Sequence, residues 1–592
     1  MTRALSILGL GTVLAAAASR AGACGCSGPP ASRCIGSGHG AGKLQDVPSA
    51  AACCDKCTLA PGCASWTWRA PADAEDRFNC WLKTNADPNP GPCSPGSLSG
   101  ACQRPSGPVA VNVSVSAARA VLELPGSYLG VNLDWWTPES GEPWGHASVL
   151  NLDLDNVRLL KLTTALEAGT LRIGGTLDKI VQYEVDGAPC RKLGGPTLCL
   201  NMTRWAKVVD FAIRVGTHIT WGLSYPVAAG TKEQWNGTNP IAFLAHVAAN
   251  ATQTAVFRGG IELGEEIDPK DTDGPQYTEY ADSWAVFTAA RNKLWPVDPP
   301  QSYGPCPGMP SFTKVDTFWR PILNQTAHQR SMDVVVYHSY NDPPSWPWLL
   351  DQTLEQAKVL VPLVAEVDEA AGLPEPRRVV LGEGGPHNGG GIDGVTNTFA
   401  SSSYYLDALG VLPTVGVTGF NRQALIGGDY ELINRTTFLP NPDYWVAYGY
   451  RLLVGPRVLA ATAVSADDPA LNASIRFYAH CARTSDPGRA SPGDVVLFWS
   501  SADVVRPFSV RIGGLPGATS ADAYVLTPHD SAGSPVDVFK RSVDLNGELL
   551  ALGPDDSIPA WKPLNVSAGN LEIRPAAIGW VVLRGAAAPA CE

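Results

Sequence analysis

Beyond Ala23 the chain has no run of roughly 18 uncharged apolar residues, the length that a membrane-spanning helix requires. Its last stretch, Ala586–Glu592, is too short and polar to read as a lipid-anchor signal. Basic clusters are also missing. Lys and Arg number 44 against 56 Asp and Glu, the net charge is −12, and no basic run is longer than Arg377-Arg378. Polyanion binding needs clustered positive charge, so nucleic acid is not an expected partner and a strongly sulfated polysaccharide is disfavoured. No H-E-x-x-H motif accompanies the nine histidines, which argues against a zinc hydrolase. No G-x-S-x-G elbow occurs, which argues against a serine α/β-hydrolase. Neither a metal nor a cofactor is expected.

With 592 residues the chain is too long for one core and divides by composition. Residues 1–23 have the form of a secretory signal: Arg3 carries the charge, Ala4–Ala18 is apolar, and Ala21-Gly22-Ala23 is a cleavage site of small residues. Eight N-x-S/T sequons, at Asn112, Asn201, Asn236, Asn250, Asn324, Asn434, Asn472 and Asn565, fit a secreted or lumenal (lysosome- or vacuole-like) protein. Ten of the fifteen cysteines fall in residues 24–102, a density that marks a disulfide-stapled module. Within it, Cys53-Cys54-Asp55-Lys56-Cys57, Cys63-Ala64-Ser65-Trp66-Thr67-Trp68 and Cys80-Trp81 resemble apple-like (PAN) modules, which bind proteins or glycans. Zinc is the alternative use of these cysteines, but His39 is the module's lone histidine. The Pro-rich residues 103–108 read as a linker.

Across residues 109–456, β-type and helical runs alternate. Strands are expected at Leu129–Asp134, Gly169–Ile173, His218–Leu223, Gly260–Gly264, Val334–Tyr337, Val379–Gly382 and Gly416–Gln423, with a weaker one near Ser302–Gly304. Helices are expected at Thr203–Val215, Ile241–Ala251, Tyr277–Leu294, Leu349–Ala371 and Thr396–Leu409. This alternation implies an α/β class and a (β/α)8 TIM barrel. Residues 457–592 change to short strands punctuated by Gly, Pro and Asp, such as Asp494–Trp499, Phe508–Ile512, Ala523–Leu526 and Gly579–Leu583. They predict a C-terminal β-sandwich, with which residues 110–122 can pair. Cys481 and Cys591 bracket this tail, Cys190 and Cys199 can pair locally, and Cys306 is left over.

Two expected strands end in a glutamate followed by turn formers: Gly260-Ile261-Glu262-Leu263-Gly264-Glu265-Glu266 and Val379-Val380-Leu381-Gly382-Glu383-Gly384-Gly385. Each can hold a carboxylate at the mouth of a parallel barrel. Two carboxylates held so are the minimum equipment for cleaving a glycosidic bond. Any one such glutamate is otherwise a solvated loop residue or a helix cap.

From about Tyr128 to Arg584 the chain resembles the heparanase-like enzymes of glycoside hydrolase family 79. The motifs are Leu171-Arg172-Ile173-Gly174-Gly175-Thr176, Ile261-Glu262-Leu263-Gly264-Glu265-Glu266, Leu381-Gly382-Glu383, Gly389-Gly390-Gly391, Asn421-Arg422-Gln423, Asp443-Tyr444-Trp445 and Ser542-Val543-Asp544-Leu545-Asn546-Gly547, in the family's order. The resemblance implies a retaining mechanism with Glu266 as acid/base and Glu383 as nucleophile. It implies that Tyr340 bonds the nucleophile, that Asp134 holds sugar hydroxyls, and that Gly389 and Gly390, with Tyr430, grip a uronate carboxylate. Gln423 and Thr176 are weaker additions to the substrate-binding set. His338 and His387 are expected near the site.

Three departures from the family stand out. Glu265 occupies the place of an Asn that donates to the sugar 2-hydroxyl, and an ionised carboxylate cannot donate. Only Ile180–Trp205 separates the second strand from its helix, where animal heparanases carry a long excised linker, so a single unprocessed chain is expected. Basic residues for a sulfated substrate are not evident. The first reading is therefore a secreted β-glucuronidase acting on uronate-containing glycans or glycoproteins, with an N-terminal module for a glycan or protein ligand. The second is an endo-acting polysaccharide hydrolase of the heparanase type. The third is a glycan-binding or matrix protein on the same fold without turnover.

Overall fold

The computed structural model describes residues 107–592 except 138–140, 142, 191–196, 226–234, 236, 268–276, 309–313, 342–346, 487 and 532–535, together with short strands of the N-terminal segment. The signal-like residues 1–23 lie outside the described residues. In the N-terminal segment, Ser65–Arg69 pairs antiparallel with Phe78–Lys83 and with Ser97–Gln103. Cys53 is buried there and disulfide-bonded.

Eight parallel strands close into a barrel: β1 (Leu129–Asp134), β2 (Thr170–Gly174), β3 (His218–Leu223), β4 (Gly260–Leu263), β5 (Ser302–Pro305), β6 (Val334–Tyr340), β7 (Arg378–Gly385) and β8 (Val417–Arg422). β8 returns to β1 in register Leu129↔Phe420, which completes the ring. All eight expected strands are present, the weak one near Ser302 included. Parallel strands covered on both faces read as near-continuous apolar runs, which is why they were legible.

The helices follow capping chemistry. Asn201 caps Met202–Val215 by accepting from the Arg204 N–H, and Gly216 ends it in a left-handed turn at φ 73°. Three expected helices differ, one of them, read as Leu349–Ala371, only in spanning Gln352–Ala370. The one read as Ile241–Ala251 is Thr238–Ala248, and a second helix, Ala251–Val256, starts after Asn250, whose side chain accepts from the Thr252 and Gln253 N–H groups. The helix read as Thr396–Leu409 is Ser402–Thr414, because Thr398 caps a 3-10 turn at Phe399–Ser401 first.

The C-terminal region forms a twelve-stranded sheet that bends into two layers. Val454–Val464 makes the bend: its first half pairs with Ile475–Ala482 and its second half with Val109–Ser116. One core lies between the layers, with Val111, Val113 and Val510 facing Phe477, Leu497, Trp499 and Val581. The alternate residues of the same strands, Tyr478, Val496, Phe498 and Val582, join the barrel core. This layer is thus buried on both faces, and the strand period of two separates its two contacts. Cys481–Cys591 and Cys190–Cys199 are disulfides, while Cys306 is a buried free thiol.

Candidate active site

The barrel interior is organised around one cation. Arg172 projects from the middle of β2 and is fully buried. Its Nε donates to Glu262 Oε2 at 2.7 Å, its Nη1 to Glu383 Oε2 at 2.8 Å, and its Nη2 to Glu265 Oε2 at 2.5 Å. The guanidinium lies back over Gly174, where a Cβ would come within 2.8 Å of Arg172 Cζ, so the glycine is what makes room for it. A buried guanidinium demands this kind of counter-charge, and its planar fork distributes three bonds at once.

His338, on β6, fills the gap between Arg172 and the acids of β4. Its Nε2 is 3.3 Å from Arg172 Nη2, and its Nδ1 lies between Glu265 Oε1 at 3.3 Å and Glu266 Oε1 at 3.4 Å. The register of β6 against β7 shifts between Tyr337 and His338, and that irregularity re-aims the imidazole.

The two adjacent glutamates after β4 sit in opposite environments. The Glu265 side chain is 1% exposed and Glu266 is 35% exposed. The chain passes Gly264 at φ 75° and then holds Glu266 itself at φ 45°. The Glu266 N–H is fixed on the Cys306 carbonyl oxygen at 3.0 Å. A non-glycine residue held left-handed costs free energy of order 1–3 kcal/mol, an outlier of the sort that clusters at functional sites. Glu383 lies two residues before the end of β7, accepting from Tyr340 Oη at 2.5 Å on one oxygen and from Arg172 on the other. One ligand-type atom each from Glu265, Glu266, His338 and Glu383 lies within 4.8 Å of the others. These four side chains are also the ones that could surround a cation, but Arg172 already supplies positive charge to two of them. The group Glu184, Cys190 and Cys199 is equally close, but its cysteines are oxidised to a disulfide.

Charge is crowded here, and the ionisation equilibria respond. Burial, with Glu265 beside it, pushes Glu383 up to about 8. Burial raises Asp134 to about 7 and raises Glu262 and Asp178 as well. Glu265 goes the other way: burial opposes its charge, but Arg172 and His338 hold it well below the usual carboxylate range. His338 is held above its ordinary value by Glu265 despite burial. Glu265 and Glu383 thus share one guanidinium while their ionisation is pushed in opposite directions.

Around this centre, Gln423 Nε2 donates to Asp134 Oδ2 at 2.6 Å, joining the ends of β8 and β1. The Tyr340 ring stacks on Tyr430 at 6.3 Å between centroids. Gly389 and Gly390 turn left-handed, at φ 60° and 90°, and the Gly390 carbonyl accepts from the Asp429 N–H at 2.6 Å. A Cβ on Gly390 would stand 3.2 Å from the Trp144 ring, so the loop passes close under an indole. Thr176 is exposed in the turn after β2 and stands outside this hydrogen-bonded network. His387, half-buried, bonds the Asn388 carbonyl at 2.7 Å.

Residues 110–410 match the profile described as glycosyl hydrolase family 79, N-terminal domain. The chain belongs to glycosyl hydrolase family 79. Residues 39–83 match the PAN domain profile, in line with the cysteine-rich module read from the sequence. Over 538 residues the chain is 29% identical to heparanase-like protein 3 of Arabidopsis thaliana, covering 81% of this chain and 94% of that protein. It is 26% identical over 498 residues to the baicalin-beta-D-glucuronidase of Scutellaria baicalensis, covering 78% and 89%. The structure superposes on a 4-O-alpha-L-rhamnosyl-beta-D-glucuronidase from Fusarium oxysporum with a TM-score of 0.53 at 14% identity, covering 80% of this chain and 100% of that one. That last likeness is one of fold.

The protein is therefore a glycoside hydrolase of family 79 on a (β/α)8 barrel with a further sheet domain. Arg172 of this family 79 member stands in the motif Leu171-Arg172-Ile173-Gly174-Gly175-Thr176, but the motif alone assigns it no role. Its signal was an arginine in the middle of an apolar strand, where an ionised side chain survives only with partners. His338 was expected near the site without a task, and Glu262 and Asp178 were not singled out at all. Asp178 is fully buried with neither carboxylate oxygen hydrogen-bonded.

Proposed function

We propose that the protein is a secreted, retaining β-glucuronidase that releases uronate from glycans or glycoproteins by a two-glutamate double displacement. The observation that carries this reading is that a carboxylate oxygen of Glu266 and one of Glu383 lie within 4.8 Å. Retaining glycosidases hold their carboxyl groups about 5–5.5 Å apart, whereas inverting ones leave about 6.5–9.5 Å for a water. The choice of a glucuronide is supported by the relative named for baicalin β-D-glucuronide hydrolysis. The chain's net charge of −12 and its lack of basic runs agree with a substrate that is not heavily sulfated. Secretion is supported by the disulfides Cys190–Cys199 and Cys481–Cys591 and by the PAN module, which would take a glycan or protein ligand. Among the described residues no helix is long and apolar enough to cross a membrane.

In the first step Glu383 attacks the anomeric carbon while the proton of Glu266 passes to the departing oxygen. In the second, Glu266 takes a proton from water and the water oxygen displaces Glu383. Tyr340 and Arg172 each bond one oxygen of Glu383, which keeps the carboxylate oriented for attack. Asp134, Gln423, Gly389, Gly390 and Tyr430 hold the glycone. Proton NMR of the reaction on an aryl β-D-glucuronide tests the mechanism. The first-formed product is expected to be the β-anomer, and an α-anomer as the initial product would refute retention.

Glu265 tunes the acid side of the pH profile. Glu383 must be ionised to attack, and burial, then Glu265 beside it, raises its pKa. On the acid side, activity should therefore fall as Glu383 takes up a proton, a limb displaced upward from the ordinary carboxylate range. Glu265→Gln keeps the volume and removes the competing charge. The ascending limb of kcat/KM is then expected to move about 1–2 pH units lower. A limb that stays in place in the variant would dissociate Glu265 from the nucleophile's ionisation.

A further inference from the structure

The sequon asparagines differ in what their side chains do. Asn434 donates through Nδ2 to Glu431 Oε1 at 3.3 Å, and Asn565 through Nδ2 to Asp522 Oδ1 at 2.9 Å. In both, the nitrogen that would carry a sugar is already bonded. Asn201 and Asn250 cap helices through their side chains. Asn472 is exposed in the 3-10 turn Leu471–Ala473, and its side-chain amide has no partner among the described residues.

That turn is anchored across the seam between the C-terminal sheet and the barrel. Arg476 Nε donates to the Asn472 carbonyl at 2.9 Å. The same guanidinium donates through Nη1 to Asp407 Oδ2 and the Leu350 carbonyl, each at 2.8 Å, and through Nη2 to Asp351 Oδ1 at 2.6 Å. An attachment point tied in this way to three barrel residues holds its substituent in one place.

Asn472 also lines a cleft of about 660 Å³ at this seam. Strand Val454–Val464 contributes Leu459, Ala461 and Val464 to it, and helices Gln352–Ala370 and Ser402–Thr414 contribute Leu354, Lys358 and Val411. Its size falls among sites that take a small-molecule ligand, about 300–1,000 Å³. Val464 is 62% exposed, and covering an open aliphatic side chain is favourable. The C–H face and acetyl methyl of an N-acetylglucosamine are apolar, while its hydroxyls keep their water. That chemistry suits a cleft of aliphatic side chains edged by Lys358 and Asn472.

We propose that Asn472 is N-glycosylated and that the first sugars of its glycan lie in the seam cleft, a covalent filler between barrel and sheet. This rests on the secretory reading above.

The test expresses the protein with its own residues 1–23 in a secreting eukaryotic cell and maps its glycopeptides by mass spectrometry. Asn472 is expected to carry a glycan. Thr462 is exposed and lines the cleft, so Thr462→Arg places a long side chain there without touching the sequon. Peptide N-glycosidase should release the Asn472 glycan from native wild type about tenfold more slowly than from Thr462→Arg, because a seated stem is reached only by local opening. Release at the other sequons should be unchanged, which excludes general unfolding of the variant. In Asn472→Gln, which cannot be glycosylated, the amides of Leu459–Val464 should exchange hydrogen faster than in wild type. Asn472 bare while other sequons are glycosylated, or release and exchange rates indifferent to these substitutions, overturns the cleft proposal and leaves secretion standing. A chain without glycan at any sequon overturns both.

Discussion

Glu383→Gln is expected to abolish turnover of an aryl β-D-glucuronide, by a factor on the order of 10⁴ or more, with the fold intact. The amide cannot form the glycosyl-enzyme bond, so the entire covalent route closes, and one missing member of a cooperating set costs far more than its share. Glu266→Gln is expected to behave differently. General acid help is worth about 10²–10⁴-fold, and it matters most when the leaving group is a poor one. The first step with a 4-nitrophenyl leaving group should therefore survive in part, while an alkyl or sugar aglycone should be lost. Deglycosylation still needs the Glu266 base, so a burst of nitrophenol followed by slow turnover is the expected trace. Azide added to Glu266→Gln should accelerate turnover and give the β-glucuronosyl azide. Equal losses on both leaving groups, or no azide effect, would remove Glu266 from the acid/base role.

The second large effect falls on stability. Arg172 is the guanidinium bonded to Glu262, Glu265 and Glu383 together, in the barrel interior. Arg172→Met keeps much of the volume and leaves those carboxylates facing one another. Removing one partner of a buried pair costs about 3–5 kcal/mol, because the remaining charge is uncompensated. The carboxyls respond by taking up protons, so their pKa values in the folded variant rise above those of the unfolded chain. An acid whose folded pKa is raised favours the folded state when protonated and penalises it as pH climbs past the unfolded value. The deficit of Arg172→Met should therefore be largest at pH 8 and shrink toward pH 5. Urea unfolding of both proteins at the two pH values measures it. A deficit that grows as the pH falls would contradict the charge-balance account.

Much of the scaffold was open to a reading of residues in order. Parallel strands buried on both faces announce themselves as short apolar runs, and even the weak Ser302 strand takes its place in the ring. The helix bounds shifted where a local cap intervened, Asn250 opening a second helix and Thr398 a 3-10 turn, because a side chain bonding nearby backbone overrides the periodic pattern. Glu266 and Glu383 stood out because each ends a β-type run.

The charge network was a different matter. Arg172 binds partners 90, 93 and 211 residues away, and nothing in their spacing links them. Neighbours in sequence diverge just as sharply. Glu265 and Glu266 are chemically identical in the chain, yet one is 1% exposed against Arg172 and the other 35% exposed beside His338. Local patterning selects strands and helices because propensity and burial act over a few residues. The ionisation of a carboxyl depends on what lies within a few ångströms, and here those neighbours are brought together by closure of the barrel.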